Sequence, residues 1–276
     1  MQRSADLVRH VRVIALLATY NEERFIAGCI ESLAQQGVHV YLIDNGSTDS
    51  TVAIASRYLG DTVLAIEPFP RPEAFNLHAI LRRKEELAST LHADWFMHLD
   101  ADEIRLPTAP HHTLAEGFAD IARQGYNAVN FQEFTFIPTI ESPDHDHGDF
   151  RRTMRSYYPF LPVFPHRLNA WRRQPDRVDL ASHAGHRVQF PGLRMYPRSF
   201  NLLHYQFLSI AHAGEKYGAR RHDAAALARG WHGWREHFRP DAARLPSAKE
   251  LQTYWSEDRL DASHPRTRHY IAEYLE

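Results

Sequence analysis

The residues Trp95-Phe96-Met97-His98-Leu99-Asp100-Ala101-Asp102-Glu103 join an apolar run of strand length to three carboxylates. A run this short reads as a buried strand, and in a doubly wound sheet ligands bind beyond the carboxyl ends of strands. Acids crowded into one turn repel one another, so a positive partner is expected. A hard divalent cation, Mg²⁺ or Mn²⁺, suits carboxylate oxygens and also bridges to the phosphates of a substrate. An acidic strand-to-loop cap facing water is the plainer reading of the same residues.

Two earlier strand ends carry comparable polar clusters. Val11 to Ala18 runs into Thr19-Tyr20-Asn21-Glu22-Glu23, and Val38 to Ile43 runs into Asp44-Asn45-Gly46-Ser47-Thr48-Asp49. Between them Phe25, Ile26, Cys29, Ile30, Leu33 and Ala34 share a helical face, with Gly37 as a stop. Asn45-Gly46 is a hairpin signal, but Val52, Ala55, Tyr58 and Leu59 recur at helical spacing, with Ser47, Thr48 or Asp49 available as N-cap. A short strand over Thr62–Ile66, a loop over Pro68–Pro72 and a helix over Ala74–Thr90 precede the acidic strand. Four strands alternating with three helices predict an α/β fold with parallel strands and right-handed crossovers.

After Pro107 the pattern changes. A helix is expected over His111–Gln124, a long strand over Tyr126–Ile137, and a strand-like piece over Leu161–Phe164 within a stretch rich in Pro, Arg, His and Asp. Helices are expected over Ser209–Phe238, Ser247–Trp255 and Pro265–Leu275.

The segments Ala18-Thr19-Tyr20-Asn21-Glu22, Ile43-Asp44-Asn45-Gly46-Ser47-Thr48-Asp49-Ser50-Thr51 and Leu99-Asp100-Ala101-Asp102-Glu103, with Asn76 in the intervening helix, resemble the donor-binding half of family-2 glycosyltransferases. The resemblance implies a GT-A fold, a mostly parallel Rossmann-like sheet flanked by helices, and a D-x-D motif. It covers about the first half of the chain. Further on, Leu203-His204-Tyr205-Gln206-Phe207-Leu208-Ser209, followed by Lys216, is similar to the H-Y-x-(Y/F)-x-S segment of non-processive members that build lipopolysaccharide cores. Such members often show V-H-E before this segment. Here Gly185-His186-Arg187-Val188 places an arginine where the acidic base is expected. The Q-x-x-R-W motif of processive polysaccharide synthases is absent.

On that resemblance, residues 1–207 form the catalytic domain (1–107 the nucleotide-sugar half, 108–207 the acceptor half), and 208–276 a C-terminal helical extension. The implied reaction moves a sugar from a nucleotide-diphosphate donor, UDP being the commonest, to a glycan or lipid-linked acceptor in polysaccharide biosynthesis. Thr19, Tyr20, Asn21, Glu22, Asp44 and Asn76 are expected to hold the nucleotide, with Asp100 on the ribose or donor sugar. Asp102 and His204 are expected to hold Mn²⁺ or Mg²⁺ as a Lewis acid for the leaving diphosphate, which requires their side chains to lie roughly 3–6 Å apart. An inverting reaction needs a base. His186 and Glu133 are the candidates, followed by Asp146.

Composition accords with a single catalytic domain. A chain of 276 residues can bury one substantial core. No apolar run approaches the ~20 residues that span a bilayer and no signal-peptide pattern opens the chain, so a cytoplasmic location is expected; Arg220 and Arg221 read as a solvated helix face or as a peripheral contact with the inner face of the membrane. The lone Cys29 excludes an internal disulfide and falls on a core-facing stripe. With 32 basic and 34 acidic side chains, no overall charge draws the protein to nucleic acid. Oligomeric state is left open. His145 and His147 in PDHDHGD read as a solvated loop or as a second metal site, His98 as a packed residue, and Trp231 and Trp234 as core or as an acceptor platform. A nucleotidyltransferase and a nucleotide-sugar-binding protein without transferase activity are the rival readings; the first lacks an N-terminal Gly-rich phosphate loop.

Overall fold

The computed structural model describes residues 11–71, 76–218 and 238–273. Strands β1 (Val13–Thr19), β2 (Val38–Asp44), β3 (Val63–Pro68) and β4 (Trp95–Leu99) run parallel in the spatial order β3-β2-β1-β4. Helices α1 (Ile26–Gln35), α2 (Thr51–Ser56) and α3 (Leu77–Thr90) make the crossovers. The strands are apolar on both faces because both faces are covered. Val13, Ala15 and Leu17 enter one core with Ile26, Ile30 and Leu33 of α1. Ile14 and Leu16 enter a second core with Leu81 and Leu87 of α3. The two-residue period of the strand thus feeds both layers. Gly37, at φ 69°, turns α1 into β2 in a conformation that spares glycine the Cβ penalty.

Beyond the acids the sheet becomes mixed. It is built from β5 (Glu103–Leu106), β6 (Ala128–Phe136), β7 (Ser156–Phe160), β8 (Arg167–Arg172) and β9 (Phe200–Tyr205). β8 is antiparallel to both β4 and β6, and so joins the two halves in one sheet. β9 runs parallel to β6 and antiparallel to β5. Helices α4 (Leu114–Arg123), α5 (Phe150–Thr153) and α6 (Ile210–Gly218) complete this half.

Several expectations are corrected here. Leu161–Phe164 is loop rather than strand: Pro162 within it and Pro165 directly after it cannot donate to a ladder. The helix expected over Ser247–Trp255 is a 3-10 turn, Ala248–Glu250, followed by β10 (Gln252–Thr253), which pairs with β7 at the sheet edge. The helix expected over Pro265–Leu275 is confined to Tyr270–Glu273. The apolar residues that suggested helices instead cover the sheet: Tyr270 and Ile271 pack with Phe160, Phe207 and Tyr217 in a third core. Beyond α6, the described part of the C-terminal segment is an irregular wrap with an edge strand and the short helix Tyr270–Glu273. Arg220, Arg221, Trp231 and Trp234 lie outside the described residues. Among the described residues, no helix is long and apolar enough to cross a membrane.

Candidate active site

The parallel register sets Thr19 beside Asp44, so the loops after β1 and β2 leave the sheet together. They are stitched by hydrogen bonds: Thr48 N donates to Asn21 Oδ1 (2.8 Å), Glu22 N to Thr51 Oγ1 (2.7 Å) and Ser50 N to Glu23 Oε2 (3.0 Å). Thr19, Tyr20, Glu22 and Asn45 line a cleft above these strand ends. The Arg71 guanidinium sits 3.4 Å from the Tyr20 ring centroid and donates to Asn45 Oδ1 at 3.2 Å. Three residues expected in the nucleotide pocket lie outside the cleft lining and carry internal bonds. Asn21, at φ 54°, ties the two loops; Asp44 accepts from Ser47 N; Asn76 caps α3 by accepting from Ala79 N at 2.8 Å.

At the acidic end, strand pairing brings the two halves of the chain together. Glu103 pairs with His204 across β5 and β9, and Tyr205 N donates to Asp102 O at 2.9 Å. His204 Nε2 consequently lies 3.4 Å from Asp102 Oδ2, while His204 Nδ1 lies 2.6 Å from Glu133 Oε1. Burial opposes protonation of His204, but the Asp102 and Glu133 carboxylates outweigh it and raise its pKa to about 10.

The expectation that clustered acids need a metal meets a different solution in this chain. Lys216 Nζ donates to Asp102 Oδ2 at 2.6 Å, Arg105 to Glu103 Oε2 at 2.6 Å and Arg167 Nε to Glu133 Oε2 at 2.7 Å. Against the pull of burial, Lys216 and His204 hold the Asp102 carboxyl below the usual range, Arg105 and Arg167 do so for Glu103, and Arg167 and His204 for Glu133. Among the described residues no group of three or more His, Cys, Asp or Glu is arranged to hold a metal ion.

Glu133 does not line the cleft. It is 1 % exposed and both its oxygens are engaged, Oε1 by His204 and Thr135 and Oε2 by Arg167, so it is a structural counter-ion and its expected place as a base is corrected. His186 does line the cleft. Its Nδ1 accepts from Arg167 Nη1 at 3.1 Å, which leaves the proton of a neutral ring on Nε2. The turn carrying it needs Gly185: φ is 81°, and a Cβ would stand 2.5 Å from His98 Nε2. Arg187, at the position of the expected acid, faces His183 Nδ1 at 3.3 Å. Asp146 is taken up by Arg24 at 2.7 Å. His145 and His147 both engage Thr153, at 2.9 and 3.2 Å, and make no metal site. Cys29 is buried, and burial pushes its thiol up, out of reach of nucleophilic chemistry.

Four cleft residues escaped the sequence reading as functional groups: Lys84, Arg167, Gln206 and Lys216. Lys84 is fully buried, 2.7 Å from His98 Nδ1, and burial lowers its pKa to about 8. Its signal was its place on the apolar stripe of α3 with Leu77, Leu81 and Leu87. Gln206 interrupts an otherwise apolar run, and Lys216 was noticed only as part of a motif.

Residues 15–175 match the model of glycosyl transferase family 2. Comparison with curated proteins gives no match. Among solved structures, S. aureus TarS has a TM-score of 0.42 at 11% identity, over 75% of this chain and 38% of that one. S. aureus TarS 1-349 in complex with UDP has a TM-score of 0.43 at 13% identity, over 75% and 63%. The galactosyltransferase LgtC in complex with donor and acceptor sugar analogs has a TM-score of 0.25 at 11% identity, over 46% and 47%. The chain thus spans under two thirds of each of these proteins. With more than half of its length matched by the family model, over strands β1 to β8, this chain belongs to glycosyl transferase family 2.

Proposed function

We propose that this glycosyltransferase moves a sugar from a UDP-linked donor to a hydroxyl of a glycan or lipid-linked acceptor, with inversion and with a divalent cation, Mn²⁺ or Mg²⁺. The observation that carries the reading is the meeting of Asp102 and His204 at 3.4 Å from opposite halves of the chain. The pair fits a hard cation. With His204 Nδ1–H donated to Glu133, a cation that displaced the Nε2 proton now facing Asp102 would take that nitrogen as a ligand, and two protein ligands leave room for the phosphate oxygens and water such a cation prefers. Bound there, the cation supplies Lewis-acid neutralisation of the leaving diphosphate.

The remaining work falls to the side chains. Thr19, Tyr20 and Glu22, with Asn45 and Arg71 behind them, form the nucleotide wall, and Asp100, exposed at the end of β4, faces the ribose or donor sugar. Asn21, Asp44 and Asn76 shape that wall by holding its loops and helix start. Lys216 shares the Asp102 oxygen and adds a positive charge beside the diphosphate position. On the acceptor side His186 is the remaining candidate for the base. To take a proton at Nε2 its Nδ1 must carry the other proton and release Arg167 Nη1. Residues 1–107 would thus serve the donor and 108–207 the acceptor, with 208–216 closing the cleft through Lys216. A lipid-linked acceptor goes with a cytoplasmic location and peripheral membrane contact, for which the exposed Val163 and Phe164 in the β7–β8 loop supply apolar surface.

Calorimetry with UDP, with and without Mn²⁺, tests the donor reading. Asp102→Asn should keep the fold and lose most of the metal-dependent affinity, because an amide is a weaker and uncharged ligand. Equal affinity in variant and parent removes the cation from Asp102. Release of UDP, rather than pyrophosphate from a nucleoside triphosphate, separates sugar transfer from nucleotidyl transfer, and binding without release would identify a binding protein.

A further inference from the structure

Gln206 follows β9 directly, two positions beyond His204, and lines the cleft with Asp102, His204, Lys216 and Tyr217. The residue is 1 % exposed, and among the described residues neither Nε2 nor Oε1 of its side chain has a hydrogen-bond partner. Its backbone, by contrast, is held: the carbonyl accepts from Lys216 Nζ at 3.3 Å and from Tyr217 OH at 3.5 Å. The backbone of Gln206 is therefore held at the cleft while the polar end of its side chain is left unpaired. Buried polar groups are nearly always paired, and leaving one unpaired forfeits its hydration with nothing in return, so a native exception calls for a cause. Packing does not supply it, because Tyr205, Phe207 and Leu208 on either side are buried and apolar and a leucine or methionine would continue that surface.

A primary amide needs a partner that both donates and accepts. Phosphate oxygens only accept, so the diphosphate could satisfy Nε2 and leave Oε1 bare. Two groups on a sugar present a donor and an acceptor side by side: a pair of neighbouring hydroxyls, or an acetamido group. Thr19 Oγ1, which also lines the cleft, is likewise buried and has no hydrogen-bond partner among the described residues. We infer that Gln206 is a specificity-determining residue that reads the hydroxyl pair or acetamido group of the transferred sugar by a two-point hydrogen bond. This rests on the donor reading above.

The test compares UDP with UDP-glucose, UDP-galactose and UDP-N-acetylglucosamine by calorimetry in Mn²⁺, on the parent, Gln206→Leu and Gln206→Met. The expected result has three parts. Both variants bind UDP within about twofold of the parent, and the gain in affinity of the preferred sugar nucleotide over UDP shrinks about tenfold or more, as loss of a two-point hydrogen bond implies. The melting temperature of the unliganded variants rises, because an unpaired amide has been replaced by apolar surface. The glucose and galactose donors against the acetamido donor show which of the two groups is read. An undiminished gain in both variants overturns the inference, as does a parent that binds none of the three more tightly than UDP. A fall in melting temperature would show that the amide has an internal partner, and unchanged donor binding with lost transfer would move Gln206 to the acceptor. A parent that fails to bind UDP overturns the donor reading itself, and this inference with it.

Discussion

The loops after β1 and β2 are tied by hydrogen bonds between neighbouring loops, most of them with a backbone N–H as donor, such as Thr48 N to Asn21 Oδ1 and Glu22 N to Thr51 Oγ1. The walls made by β5, β6, β8 and β9 meet instead through buried ions, with Glu133 between Arg167 and His204 and Asp102 between His204 and Lys216. The first arrangement is cheap to break one bond at a time. In the second each group compensates charges from separate strands, so the same contacts that position the site also hold the halves together. Buried pairs of this kind add little stability relative to apolar packing, yet removing one partner strands the others.

Glu133→Gln is the sharpest way to break the contrast. The substitution preserves shape but leaves Arg167 and His204 without their shared counter-charge, and loss of one member of a buried ion network costs about 3–5 kcal/mol. Urea denaturation should show that loss, together with reduced activity. A variant as stable as the parent but inactive would return Glu133 to the role of base.

The pH dependence of stability, measured without metal, is the next largest effect. His204 holds a proton in the folded chain up to about pH 10, against an ordinary value of 6.5. Its stabilising contribution is therefore complete below about pH 6.5 and disappears as the pH rises through about 10, with a slope of up to ~1.4 kcal/mol per unit. Lys84 acts with the opposite sign: lowered from 10.5 to about 8, it is expelled of its proton on folding, so stability is regained between those values. The parent should lose stability from pH 6.5 to 8, then level off between about 8 and 9 where the two effects oppose, before the raised Cys29 thiol adds its own decline above about pH 9. In Lys84→Met the decline from pH 6.5 continues towards pH 10, and in His204→Gln it is absent. A level parent profile between pH 6.5 and 8 would mean that His204 is neutral in the folded protein.

The same contrast governs what could be read in advance. Strands β1 to β4 were legible because each is a short apolar run feeding cores on both faces, and the polar residues at their ends stood out against it. The mixed half was less so. Nothing in the local pattern of Arg167, Lys216 or Glu133 reveals that they will be buried counter-ions, since that depends on β8 joining β4 to β6 and on β9 lying between β5 and β6. His204 was reachable only through a motif. In the C-terminal segment, apolar residues at helical spacing were satisfied by covering the sheet from an irregular chain, with a capping box at Ser247 and Glu250 that opens only a single 3-10 turn. In the loops after β1 and β2, local sequence does not distinguish the residues that face the cleft, such as Thr19, Tyr20 and Glu22, from those that tie the loops behind it, such as Asn21 and Asp44.

Asn76→Ala separates those two roles at the smallest expected cost. Asn76 Oδ1 caps α3 through Ala79 N at 2.8 Å, and loss of such a cap typically costs ~1 kcal/mol. α3 carries Leu77, Ile80 and Lys84 into the cleft, so fraying at its first turn should disturb the ends of that wall more than its centre. The variant should therefore lose about 1 kcal/mol in denaturation while binding UDP within about twofold of the parent. If UDP affinity instead falls tenfold with stability unchanged, Asn76 reaches the nucleotide itself, and the division between residues that touch the donor and residues that hold its loops must be redrawn around α3.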